Sequence, residues 1–306
     1  MTSDLDKIKK QKEILKIISF YDIFSFPLTI FEIKKSLFFT ITLGELEMIL
    51  EEDFLGSKIE NKNGFYFLRG REENINSRNR RYNYSLKKNK TAKFFAKIFA
   101  KLPFILAVYF VNSIGSYNLR EESDIDIFII TKNKRIWLSR FFCAGLMKIL
   151  NKRPNKKTKK DKICLSFYLS EDNLDLQGLK IKSGDPYFDF WERNLLLLED
   201  KNNIHQKFLR VNNLEVYYDS NYDLNKIEDV SISKNKTDLA SNLMDYLEKI
   251  SYKFQVKIMP PILRRAADIK DDSSGVVFSD NIIKLYLKDR RLEIKKKYEE
   301  KLATLI

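Results

Sequence analysis

Val111-Asn112-Ser113-Ile114-Gly115-Ser116-Tyr117-Asn118-Leu119-Arg120-Glu121-Glu122-Ser123-Asp124-Ile125-Asp126-Ile127-Phe128-Ile129-Ile130 is the stretch on which the reading of this chain turns. An apolar run from Leu102 to Val111 leads into it, and a second apolar run closes it, so it reads as strand, loop, strand. Side chains alternate along a strand, which puts Asp124 and Asp126 on one face and Ile125 and Ile127 on the other. Like charges that close are costly unless a cation neutralises them, and oxygen ligands of this kind suit Mg²⁺ or Mn²⁺. The Ser/Gly-rich turn upstream offers hydroxyls and backbone N–H groups to an anion. A hydroxyl turn followed by paired carboxylates points to a metal-bridged phosphate, the arrangement that in-line phosphoryl or nucleotidyl transfer needs.

Outward from this stretch the chain divides into four parts. In residues 1–72, apolar Ile8, Ile14, Leu15, Ile17, Ile18 and Phe20 recur at helical spacing, and Pro27 precedes a second short helix. Thr42 N-caps a third helix running to about Phe54, with Glu45 as its capping-box partner. Ser57–Glu60 and Phe65–Leu68 flank Asn61-Lys62-Asn63-Gly64, a hairpin signal. Three helices and a hairpin form a winged-helix pattern. Residues 73–101 read as a basic connection, with Arg78, Arg80, Arg81, Lys87, Lys88 and Lys90, leading into a helix over Ser85–Lys101. Residues 102–184 carry strands at Ile105–Ser113, Asp124–Thr131 and Ile163–Leu169, with a helix at Arg135–Leu150, as in a mixed sheet. Residues 185–306 read as helical, at Tyr187–Leu198, Ile204–Val211, Leu239–Phe254 and Asn281–Leu302. The expected class is α+β.

Composition removes several chemistries. The chain has 306 residues, 2 Cys and 1 His, too few for a disulfide framework or a four-thiolate zinc site. A catalytic Ser/His/Asp set would have to use His205, which reads as an ordinary residue on a helix surface. No apolar run approaches the ~20 residues that span a bilayer, so no membrane partner is expected. The charged N-terminus lacks an apolar signal core, and the expected location is the cytoplasm.

The order strand, Gly-Ser turn, about ten residues, then Asp-x-Asp on a strand resembles the signature of the DNA polymerase beta-like nucleotidyltransferases. The resemblance covers residues 102–170, and the flanking organisation is similar to bacterial proteins of about this length that carry a nucleotidyltransferase domain. It implies that Asp124 and Asp126 hold Mg²⁺ or Mn²⁺, that Asn112, Ser113, Gly115, Ser116 and Arg120 bind a nucleoside triphosphate, and that its nucleoside monophosphate passes to a hydroxyl acceptor, whether small molecule, protein or RNA. Gly115-Ser116 supplies the family's dipeptide, whereas Asn112-Ser113 supplies its spacing to Asp124. The second register favours Ser113 as the phosphate-facing hydroxyl, with Asn112 tolerating the unusual backbone conformation. The family also carries a third carboxylate on a later strand, and here Lys162–Leu169 contains no acid. Either Asp161, Glu171 or Asp172 substitutes from an end, or the metal alone activates the acceptor, or the site binds nucleotide without turnover as a regulatory module that uses the winged helix for partner contact.

The net charge of +14 invites nucleic acid as a partner. The helix that would enter a major groove nevertheless carries Glu45, Glu47, Glu51, Glu52 and Asp53 and no Lys or Arg, which argues against specific DNA binding. The densest basic segment is Lys148–Lys162, a solvated loop or an attractor for an anionic acceptor.

Overall fold

The computed structural model describes residues 2–111, 117–155, 157–218, 238–269 and 275–306. The chain opens with α1 (Thr2–Asp22), the short strand β1 (Leu28–Thr29), and helices α2 (Ile30–Ser36), α3 (Leu43–Leu50) and α4 (Asp53–Gly56). Strands β2 (Ile59–Lys62) and β3 (Phe65–Leu68) follow. The expected capping box is present at α3: the Glu45 N–H donates to Thr42 Oγ1 at 3.2 Å and the Thr42 N–H donates to Glu45 Oε2 at 3.0 Å. Thr29 and Glu32 repeat the device at α2. Lys62 pairs with Phe65 across the two-residue turn Asn63-Gly64, whose φ values of 56° and 76° explain why Asn and Gly stand there. The third helix breaks after Leu50 instead of running to Phe54, and α4 resumes it.

The basic stretch read as a connection is helical throughout: α5 spans Glu73–Lys101. Its inner face is lined in part by polar residues, with Arg78, Ser85, Lys88 and Asn89 buried, so apolar periodicity could not reveal it. Arg78 fixes it to the N-terminal module through both Glu32 carboxylate oxygens, each at 2.8 Å.

Next come β4 (Ile105–Phe110), β5 (Ile125–Thr131), α6 (Ile136–Ile149) and β6 (Ile163–Ser170), close to the expected bounds. The remainder is less helical than its sequence suggests. After α7 (Pro186–Glu192) the chain forms β7 (Leu196–Asp200), then α8 (Ile204–Val211), α9 (Asp238–Ile258), α10 (Pro261–Asp268), β8 (Val276–Phe278), β9 (Ile282–Leu285) and α11 (Arg291–Leu305). Three strands from the region read as helical thus join the sheet. Leu195 to Leu198 is an uninterrupted apolar run that fits strand or helix, and pairing with β4 decides it.

The protein is α+β, with a three-stranded sheet ordered β1-β3-β2 and a six-stranded mixed sheet ordered β7-β4-β5-β6-β9-β8. β5 and β6 are parallel, joined by α6, and the other neighbours are antiparallel. Ile125, Ile127 and Ile129 pack with Phe99 of α5, Trp137 of α6 and Val256 of α9. Phe128 and Ile130 on the opposite face pack with Phe188 and Trp191 of α7 and Phe208 of α8. The N-terminal core is completed from far along the chain: Phe20 stacks on Phe190 at 4.1 Å, and Ile294 and Tyr298 of α11 join the same cluster. Among the described residues no helix is long and apolar enough to cross a membrane.

Candidate metal centre

Asp124 immediately precedes β5 and Asp126 is its second residue, on the face that Phe128 and Ile130 continue. The parallel register sets Asp126 opposite Cys164 of β6. Cys164 and Ser166, two apart, share a face, with Sγ and Oγ 3.0 Å apart; between Cys164 and Phe167 the register slips by one residue, a bulge that brings Phe167 onto the side of Phe128. Ligand atoms of Asp124, Asp126 and Cys164 all lie within 4.8 Å of one another, and all three residues are partly buried.

Electrostatics mark the pair as strained without a counter-ion. Burial, and then the charge of Asp124, push the Asp126 carboxyl up to about 7, while a hydrogen bond from Cys164 and the nearby Lys159 act the other way. Burial raises Asp124 as well, opposed by its own backbone N–H, Lys159 and Lys88. Burial pushes the Cys164 thiol up, and the charges of Asp126 and Asp124 add to this. The resemblance implies a divalent cation, and two carboxylates with a sulfur beside them form a donor set that fits one.

The loop before Asp124 is held from behind. Lys88 of α5, fully buried, donates to the Glu121 and Ser123 carbonyl oxygens at 2.9 and 2.8 Å and pairs with Asp161. Ser123 caps its own turn by donating through Oγ and N–H to the Arg120 carbonyl. The side chain of Arg120 is exposed. Asn112, Ser113, Gly115 and Ser116 lie outside the described residues.

None of the three acids considered as a third carboxylate joins the pair. Asp161 is engaged by Lys88. Glu171 lies past the far end of β6, where Oε1 accepts from the Asn133 N–H at 3.1 Å, and Asp172 accepts from the Ser170 hydroxyl. Lys132, Lys134 and Arg135 likewise follow the far end of β5, and Arg135 pairs with Asp245 at 2.6 Å. Sequence reasoning missed Cys164, Lys159, Tyr187 and Tyr286. Both tyrosine hydroxyls are raised first by burial and next by the charge of Asp126. His205 is not on a surface: it is buried, and its Nδ1 lies 3.1 Å from the Tyr109 hydroxyl.

Comparison of the chain with protein-family models, with curated proteins and with solved structures finds no match.

Proposed function

We propose that the protein is a metal-dependent nucleotidyltransferase that moves a nucleoside monophosphate from a nucleoside triphosphate to a hydroxyl acceptor. The acceptor oxygen forms a bond to the α-phosphorus, the bond from that phosphorus to the β-bridging oxygen breaks, pyrophosphate leaves with the electron pair, and the acceptor proton is released. The observation that carries this reading is the pair Asp124 and Asp126, brought to one face at the start of a buried strand, with Ser113, Gly115 and Ser116 upstream in the sequence. A divalent cation held there would neutralise the carboxylates and offset charge on the phosphates. Asp124 and Asp126 are its ligands, and the Asn112–Ser116 turn and Arg120 are assigned to the triphosphate. Lys159, close enough to lower both carboxyls, adds positive charge beside them. Lys88 keeps the Asp124 loop in place. We place the protein in the cytoplasm, where both free thiols, Cys143 and Cys164, stay reduced.

Label transfer tests the reading. Each α-labelled triphosphate is incubated with Mg²⁺, Mn²⁺, Co²⁺ or Zn²⁺ and a broad acceptor panel, alongside Asp124→Asn and Asp126→Asn. Labelling and pyrophosphate release in the wild type, lost in both variants, are expected; equal labelling in all three, or none with any triphosphate, overturns the catalytic claim. The second reading, a nucleotide-binding regulatory protein without turnover, is favoured by one observation: the residue opposite Asp126 is a cysteine, where the family it resembles carries a third carboxylate. Calorimetry showing tight triphosphate binding with no pyrophosphate release would select it.

A further inference from the structure

The third side chain in the cluster changes which ion the site should take. Mg²⁺ favours six oxygen ligands in octahedral geometry and keeps much of its water, so a sulfur donor is of little use to it. Zn²⁺ and Co²⁺ accept mixed sulfur and oxygen sets, and affinity among divalent first-row ions rises from Mn²⁺ toward Co²⁺ and the later metals. Cys164 is set opposite Asp126 by the parallel register, and its Sγ and an oxygen of each carboxylate all lie within 4.8 Å of one another. A coordinating thiol gives up its proton to the metal, so the protonated form expected without an ion is no obstacle.

We propose that Cys164 is a third ligand to the ion held by Asp124 and Asp126, and that the site therefore selects a thiophilic divalent cation, Zn²⁺ or Co²⁺, over Mg²⁺. This rests on the reading of the pair as a metal centre and deepens it: the sequence pointed to Mg²⁺ or Mn²⁺ because it offered only oxygen ligands. The second cysteine is a built-in control. Cys143 is buried in the cluster on the other face of the sheet, with Trp137 and Met147, away from the carboxylates.

Cobalt spectroscopy on the full chain reads the bond directly. Addition of Co²⁺ to chelator-stripped protein should give the sulfur-to-cobalt charge-transfer band in the near ultraviolet. The band should survive Cys143→Ala, vanish in Cys164→Ser, and resist a large excess of Mg²⁺. Cys164→Ser, nearly isosteric and checked by circular dichroism, should bind Co²⁺ about 10- to 100-fold more weakly. Cys164→Asp should lose the band and gain affinity for Mg²⁺. If Co²⁺ binds in a manner sensitive to Asp126→Asn but shows no band, and Cys164→Ser binds as the wild type does, the thiol ligand is refuted while the metal centre stands. If no divalent ion binds in a manner sensitive to Asp124→Asn or Asp126→Asn, both readings fall.

Discussion

Asp126 and Cys164 stand opposite one another on the parallel strands β5 and β6, with Asp124 completing a group of ligand atoms within 4.8 Å. The arrangement raises the Asp126 carboxyl to about 7, first by burial and then by the charge of Asp124. An unfolded aspartate titrates near 3.9, so between about pH 4 and about pH 7 the native state binds more protons than the unfolded one. Stability of the metal-free protein should therefore fall as pH rises through that window, the two carboxyls titrating as a pair. Asp126→Asn should flatten the slope and raise the melting temperature above pH 7 in chelator, while abolishing the stabilisation that a divalent ion gives the wild type. Thermal melts from pH 4 to pH 8 with and without chelator measure both effects; an unchanged slope in the variant would show that the pair is not strained.

Lys88 supports the same site from α5. Its ammonium is buried and donates to two carbonyl oxygens of the 121–123 turn as well as pairing with Asp161. Lys88→Met keeps the volume but leaves those carbonyls without a donor and the loop without its anchor, at a cost of about 2–3 kcal/mol. The loop carries Asp124, so divalent-ion affinity should drop in step. Urea unfolding and metal titration test the pair of effects; a variant that is destabilised yet binds metal normally would mean that Asp124 is positioned by β5 alone.

What the sequence revealed and what it concealed follow from the range of the determining forces. The Thr42 and Glu45 capping box, the Asn63-Gly64 turn and the shared face of Asp124 and Asp126 depend on residues within a few positions of each other, and each was legible. β7 and β9 were not, because the Leu195–Leu198 run and the short segment Ile282–Leu285 have no periodicity of their own and become strands by pairing with β4 and β6. α5 hid its inner face behind Arg78 and Lys88, whose partners are distant in sequence, and behind buried Asn89. Cys164 is the sharpest case. Its place beside Asp126 is set by strand register, which is not written in Ile163–Leu169 itself.

His205 is held neutral. Burial lowers its pKa to about 4, against an unfolded value near 6.5, while Nδ1 meets the Tyr109 hydroxyl. Here the unfolded state binds the extra proton, so the histidine's contribution is complete above about pH 6.5 and is lost as pH falls toward 4. His205→Phe should cost about 1–2 kcal/mol at pH 7 by leaving the Tyr109 hydroxyl without its partner. The difference from wild type should shrink steadily on acidification. Denaturant unfolding at pH 7, 6 and 5 decides it; a constant difference would mean that the imidazole has the same pKa in the native state as in the unfolded one.

Helix α6 depends on a cap supplied from another element. Its N-cap residue Arg135 makes no side-chain cap bond; instead Glu248 of α9 accepts from the Trp137 N–H at 2.7 Å and the Leu138 N–H at 2.9 Å, one on each carboxylate oxygen. The negative charge also suits the positive end of the helix. Glu248→Ala should cost about 2 kcal/mol. Glu248→Gln, which keeps one acceptor and turns an N–H toward the other donor, should lie close to Ala because the geometry needs two acceptors. α6 links β5 to β6 and so ties Asp126 to Cys164. Hydrogen exchange at Trp137 and Leu138 should accelerate in both variants, and divalent-ion affinity should weaken with it. If Gln instead matches the wild type in stability and exchange, one acceptor suffices and the charge of Glu248 is dispensable.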